Sequence, residues 1–144
     1  MHTNTPTPTV WPTLQAQDCP ALIDFLVEAF GFVKTVVHTD GDQVAHAQLD
    51  WPEGGGIMLG SYTPGDEWSR EPGTFGGYVV TDHVDEVYQR ARVAGATIVA
   101  ELAQQDYGNY EFVAADPEGN LWSFGAYRGE PRTWGPCTSR DVRS

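Results

Sequence analysis

The chain has 144 residues, 20 of them acidic and 8 basic, for a formal net charge of −12. Neutralising a phosphate backbone or an anionic bilayer takes a basic stripe, so this balance argues against nucleic acid and against membrane surfaces as partners. The length suits one domain with a core of its own. Gly and Pro together supply 26 residues, which points to many turns between short elements.

Apolar runs fall well short of the ~18 residues a membrane helix needs. The opening stretch MHTNTPTPTVWP lacks a basic region followed by an apolar one, so no signal peptide is expected. Cys19 and Cys137 form no CxxC pair. Reduced thiols and a cytoplasmic location are the expectation.

Residues 1–9 alternate Thr and Pro and read as a disordered lead. Val10 to Gln17 reads as a strand. Asp18 is a good N-cap, and Pro20 falls in the first helical turn. Leu22, Phe25, Leu26, Ala29 and Phe30 then recur on one helical face, closed by Gly31. Phe32 to Thr39 and Gln43 to Leu49 flank an Asp-Gly-Asp turn and read as a hairpin. Ile57 to Tyr62 is a further strand. Strict alternation places Val44, His46 and Gln48 on one sheet face, with Ala45, Ala47 and Leu49 on the other.

The polar segment 63–74 reads as the connection between two half-domains. Phe75 to Thr81 is again a strand. Asp82 is the expected cap of a helix carrying Val84, Val87, Tyr88, Ala91 and Ala94, ended by Gly95, with Glu86 and Arg90 spaced for an ion pair. Thr97 to Ala100, Tyr110 to Ala115 and Leu121 to Tyr127 are strands, and the tail from Arg128 to Ser144 is irregular.

The order is thus β-α-β-β-β twice, an α+β class. Module one spans 10–62 and module two 75–127. Pro52-Glu53-Gly54 and Gly60-Ser61-Tyr62 recur as Pro117-Glu118-Gly119 and Gly125-Ala126-Tyr127, offset by 65 throughout. So constant an offset indicates an internal duplication. Two paired modules are expected to form a cupped mixed sheet around a cavity fit for a small ligand.

The Asp18-capped segment IDFLVEAFGF, the HAQL and GIMLGS segments, and the closing FVAADPEGNLWSFGAY resemble the vicinal oxygen chelate superfamily. That group contains glyoxalase I, bleomycin-resistance proteins and extradiol dioxygenases. The resemblance covers residues 10 to 127. It implies His, Glu or Gln metal ligands on the first and last strands of each half. Carried onto this chain, those positions fall at Trp11, Met58, Gly76 or Gly77, and Ser123. None is a usual ligand for a divalent metal. The expectation is therefore a metal-independent protein without a cofactor, similar to the bleomycin-resistance type, an acidic homodimer that sequesters a cationic molecule in an aromatic-lined groove.

Candidate ligand-binding residues are Trp11, His46, Gln48, Met58, Tyr62, Trp68, Tyr107, Tyr110 and Ser123. Aromatic walls beside carboxylates such as Asp66, Glu67, Asp106 and Glu111 suit a cationic or flat aromatic guest; the same carboxylates also read as merely solvated. Trp122 and Phe124 fall on the opposite face from Ser123 and read as core. His46 reads either as a hydrogen-bonded rim histidine or as a catalytic base. The alternative function is a lyase, isomerase or dioxygenase with a divalent metal held by displaced ligands such as His46, Gln48 or Glu111, or with His46 as base. A third reading is a partner-binding module with a vestigial cavity. Cys19, at a helix start, reads as an inert buried thiol, against the tendency of such positions to activate a cysteine.

Overall fold

The computed structural model describes residues 7–105 and 109–131. Residues 1–6, 106–108 and 132–144, with Asp106, Tyr107 and Cys137 among them, lie outside them. The first module runs β1 (Thr13–Ala16), α1 (Cys19–Phe25), a π-helical turn (Leu26–Phe30), β2 (Val33–Asp40), β3 (Gln43–Asp50) and β4 (Gly56–Ser61). The second runs β5 (Gly76–Val80), α2 (Val84–Val93), β6 (Thr97–Gln104), β7 (Tyr110–Ala115) and β8 (Leu121–Gly125). Each module makes one four-stranded mixed sheet. The strand orders are β1-β4-β3-β2 and β5-β8-β7-β6, parallel only between the first pair of each.

Local chemistry explains the element ends. Asp18 caps α1 by accepting the Ala21 N–H. The single expected helix widens into a π turn before Gly31, whose φ of +96° is a left-handed cap that a side chain would strain. Arg90 of α2 donates to the carbonyls of Glu28 at 2.8 Å and Val27 at 3.2 Å. It thus takes up helix-end acceptors rather than pairing with Glu86. Asp82 does not cap α2. The N-cap is His83, and Asp82 instead accepts from Arg128 at 2.8 Å. The short strand expected after Gly95 extends to Gln104.

One core serves both modules. Phe30 packs edge-on against Phe124 at 4.7 Å between ring centroids, Phe32 lies 5.6 Å from Trp122, and Trp51 lies 5.9 Å from Phe124. The Trp51 indole N–H donates to the Val80 carbonyl at 3.0 Å. Trp122 and Phe124 are fully buried. The helices lie on this side of both sheets and touch one another.

The duplication also yields a reciprocal clasp. Glu118 reaches from the β7–β8 turn to accept the N–H groups of Gln17 and Asp18, both at 2.9 Å. Glu53, its equivalent in the β3–β4 turn, accepts the Thr81 hydroxyl at 2.6 Å and the Asp82 N–H at 3.0 Å. Each carboxylate thereby fixes the start of the other module's helix. The β7–β8 turn is rigid because the buried Asp116 carboxylate collects the N–H groups of Glu118 and Asn120, the Asn120 side-chain amide and the Trp122 indole. Glu118→Ala removes one acceptor from two backbone donors at once. It is expected to lower unfolding free energy by about 1–3 kcal/mol, measured by urea denaturation. An unchanged midpoint would mean that water replaces the clasp at no cost.

Candidate functional site

Both sheets turn one face to the shared core and leave the other open. On the first sheet Leu14, Val44, Ala47, Leu49, Ile57 and Leu59 are buried in the core. Between them Thr13, Gln15, His46, Gln48, Met58 and Gly60 alternate onto the open face. Val44 departs from strict alternation. A register shift between His38 and Thr39 puts a bulge at Ala45, which returns Val44 to the core side. At the bulge the Val44 N–H donates to the side-chain hydroxyl of Ser61, at the end of neighbouring β4, at 2.8 Å.

A cavity of about 460 Å³ lies on this face, lined by Gln15, His46, Met58, Asp40, Asp66 and Trp68 among others, with no Lys or Arg in its wall among the described residues. A second cavity, about 600 Å³, lies on the open face of the other sheet, with Tyr78, Asn109, Glu111 and Ser123. The two share no lining residue. Between the modules lie further cavities of about 410 and 570 Å³, one lined by Pro12, Trp51, Gly56, Gly77 and Trp122 and the other by Phe30, Trp51, Glu53, Thr81 and Arg90.

The registers show how the duplication diverged. Thr13 stands beside Met58, and 65 residues later Tyr78 stands beside Ser123. His46 pairs with His38, and Glu111 with Ala103, at the same offset. Equivalent positions thus carry different chemistry. On the second face the buried Asn109 organises the surroundings. Its carbonyl oxygen accepts from the Ala126 and Tyr127 N–H groups at 2.9 and 3.0 Å. Its amide donates to Glu111 at 2.6 Å and to the Tyr78 hydroxyl oxygen at 3.2 Å. Tyr78 donates to the Tyr127 carbonyl at 2.8 Å. Gly125 permits this network, since a Cβ there would stand 2.7 Å from the Asn109 amide nitrogen and 2.8 Å from the Tyr78 oxygen.

The candidate residues distribute unevenly. His46, Met58 and Trp68 meet in the first cavity and Ser123 in the second. Gln48 shares the first face but donates to Asp50 at 3.0 Å. Trp11 precedes β1, lies against the position a Gly56 side chain would take, and donates to the Pro8 carbonyl. It lines neither cavity. The strand position beside Met58 is Thr13, and its counterpart is Tyr78 rather than Gly76 or Gly77. Tyr62 lies outside the cavity lining and donates to Glu71 at 2.9 Å, a bond that, with some burial, pushes its phenol pKa up. Tyr110 points toward Asp85 near α2; desolvation first and the Asp85 charge second raise its pKa. Tyr107 lies outside the described residues. The sequence reading missed Thr13, Gln15, Asp40, Tyr78 and Asn109. The 65-residue offset would have led from Thr13 to Tyr78, had the strand been counted from the correct start.

A family model for the Glyoxalase/Bleomycin resistance protein/Dioxygenase superfamily matches residues 9–124. The chain belongs to that superfamily. It is 39% identical over 128 residues to the uncharacterized protein Rv0887c of Mycobacterium tuberculosis, covering 82% of this chain and 74% of that one. The uncharacterized protein Mb0911c of Mycobacterium bovis is likewise 39% identical, with 82% of each chain covered. Among solved structures, TioX from Micromonospora sp. ML1 is similar with a TM-score of 0.69 and 28% identity, over 82% of this chain and 94% of that one. UcmS2 shares the fold with a TM-score of 0.67 at 20% identity, over 85% of this chain and all of that one.

The first and last strands of each half are where the resemblance places metal ligands. Here they offer Thr13, Met58, Tyr78 and Ser123. Neutral hydroxyls, a phenol and a thioether do not suit a hard or borderline divalent ion, which seeks imidazole or carboxylate. Among the described residues, no three His, Cys, Asp or Glu side chains gather in a way that could hold an ion. The donor set does not fit the metal.

Cys19 is fully buried at the start of α1. Burial, then the charges of Glu118 and Asp18, push its thiol up to about 12. The tendency of a helix N-terminus to favour thiolate is overridden. Because the folded pKa lies above the unfolded one, this stabilisation is complete below about pH 8.5 and is lost as pH rises toward the folded value. In native protein at pH 8, Cys19 is expected to resist a disulfide-exchange reagent and to react once urea unfolds the chain. Mass-spectrometric mapping that found Cys19 modified in the native state would overturn this assignment.

Proposed function

We propose that this superfamily member binds a small, flat, cationic molecule on its first open face, without a metal ion. The observation that carries the reading is the composition of the 460 Å³ cavity. It joins an exposed indole (Trp68, 68% exposed) with a soft apolar floor at Met58 and two carboxylates, Asp40 and Asp66, and among the described residues its wall holds no Lys or Arg. An aromatic cation gains ring stacking and cation–π attraction from the indole. The carboxylates add a charge term that salt weakens. The net charge of −12 favours the encounter with a cation.

The enzymatic alternative rests on a metal held by displaced ligands such as His46, Gln48 or Glu111, or on His46 as a base; His46 lines the first cavity and Glu111 the other. A general base also needs a group to orient it. The ring neighbour His46 has is His38, stacked at 6.2 Å, and a second imidazole supplies no carboxylate anchor. The binding reading therefore stands first.

The phenanthridinium dye ethidium, followed by its fluorescence, tests this directly. Binding is expected to persist in EDTA and to weaken about three- to fivefold in Trp68→Ala, the scale of one exposed cation–π contact. Asp66→Asn is expected to flatten the salt dependence. Loss of binding on chelation, or equal binding by Trp68→Ala, would remove the reading.

The proposal includes a homodimer. The outer strands β2 and β6 each have one partner strand and carry exposed Val33 and Val99, surfaces that suit association. Light scattering is expected to give twice the chain mass of 15.8 kDa; a single-chain mass at high micromolar concentration would rule the dimer out.

A further inference from the structure

The wall of the first cavity has two sources. One is the sheet, with Thr13, Gln15, His46 and Met58. The other is the segment joining the modules, which contributes Thr63, Asp66, Trp68 and Ser69. These two parts are held together differently from the rest of the molecule.

Both ends of the connecting segment are fixed. At one end the Tyr62 N–H donates to the Ala16 carbonyl at 2.9 Å, continuing the β1–β4 pairing. At the other, Gly73 adopts φ +82° and lies so close to the β7–β8 turn that a Cβ would stand 2.3 Å from the Glu118 carbonyl. Thr74 donates to the Glu71 carbonyl at 2.7 Å beside it. Between these anchors residues 63–68 are exposed. They are organised by bonds among themselves. Asp66 accepts the Trp68 N–H at 3.0 Å on its side chain and the Ser69 N–H at 3.1 Å on its carbonyl. The Arg70 guanidinium donates to the carbonyls of Glu67 and Ser69.

Among the described residues, a bond from Arg70 ties this turn to the cavity floor. Gln15, a polar side chain 8% exposed on β1, accepts the Arg70 N–H at 2.8 Å. Its neighbour across the pairing is Gly60, where a Cβ would stand 3.3 Å from the Val44 and Ala45 carbonyls of the bulge. A small rigid unit fixed at both ends, bonded within itself and latched at one point is the build of a flap.

We propose that residues 63–69 are a flap over the first open face and that the Gln15–Arg70 bond is its latch. Opening carries Trp68 and Asp66 away from Met58 and His46 together, so both recognition elements leave the guest in one step. The latch then sets how fast the pocket exchanges its occupant. Gln15 lines the cavity, and its part in the latch is that of a positioning residue acting through the flap. This inference rests on the binding reading above.

The test uses the full-length chain and three forms of position 15. Gln15→Leu keeps the volume and loses the acceptor; Gln15→Glu keeps the acceptor. Stopped-flow mixing with ethidium is expected to give dissociation about fivefold faster for Gln15→Leu, the population change one lost hydrogen bond produces. Gln15→Glu, which keeps the acceptor and adds a carboxylate to the cavity wall, should dissociate no faster than the parent. Relaxation-dispersion NMR on the free protein reads the flap without any guest. It should show 63–69 exchanging as one unit, with the open population raised in Gln15→Leu and the β1, β3 and β4 amides unchanged. Dissociation rates for Gln15→Leu equal to the parent's, or motion spread over the strands, would overturn the latch. If ethidium does not bind, the binding reading falls, while the NMR measurement still decides whether the flap exists.

Discussion

The arrangement depends on the aromatic contact between the two modules. Phe30, carried by the π turn of the first module, packs on Phe124 and Trp122 of the second, and Phe32 and Trp51 fill in beside it. Truncating one such ring in a close-packed core costs about 3–5 kcal/mol, a large share of a small domain's stability. Because the helix-bearing sides of the sheets are committed to this contact, the opposite sides are left free. The location of the two open-face cavities follows from the core.

The clasp of Glu53 and Glu118 orients what the core holds. Hydrophobic burial is non-directional and leaves relative orientation loosely set. Two carboxylates, each aimed at backbone N–H groups of the other module, add direction. Their symmetry is inherited from the duplication. The same inheritance places Thr13 with Met58 and Tyr78 with Ser123 in matching registers. Once the two halves separated in sequence, each open face evolved its own chemistry. The second filled with an Asn109-centred hydrogen-bond network. The first kept a cavity walled by a segment from outside the sheet.

Much of this was legible in the residues. The Asp18 cap, the Gly31 stop and the β-α-β-β-β repeat are local signals with local causes, and the structure places the elements close to where those signals put them. Errors arose where a distant group intervened. Asp82 has good cap chemistry, but Arg128, far along the chain, takes its carboxylate. Arg90 has an i,i+4 partner in Glu86, but the helix-end carbonyls of the other module offer it better acceptors. Val44 fits perfect alternation until a bulge, set by cross-strand register, turns it inward.

The candidate site shows the same division. The sequence by itself determined the repeat, the fold family, the absence of imidazole or carboxylate on the paired first and last strands, and His46, Met58 and Trp68 as residues worth following, because residue type and spacing carry that information. Only the tertiary structure decided that Trp11 lies outside both pockets, that Ser123 belongs to a different pocket from Met58, and that Gln15 reaches a backbone amide 55 positions away. Those facts depend on strand register and on which sheet faces the modules bury against each other, and both are set by packing between segments far apart in the chain.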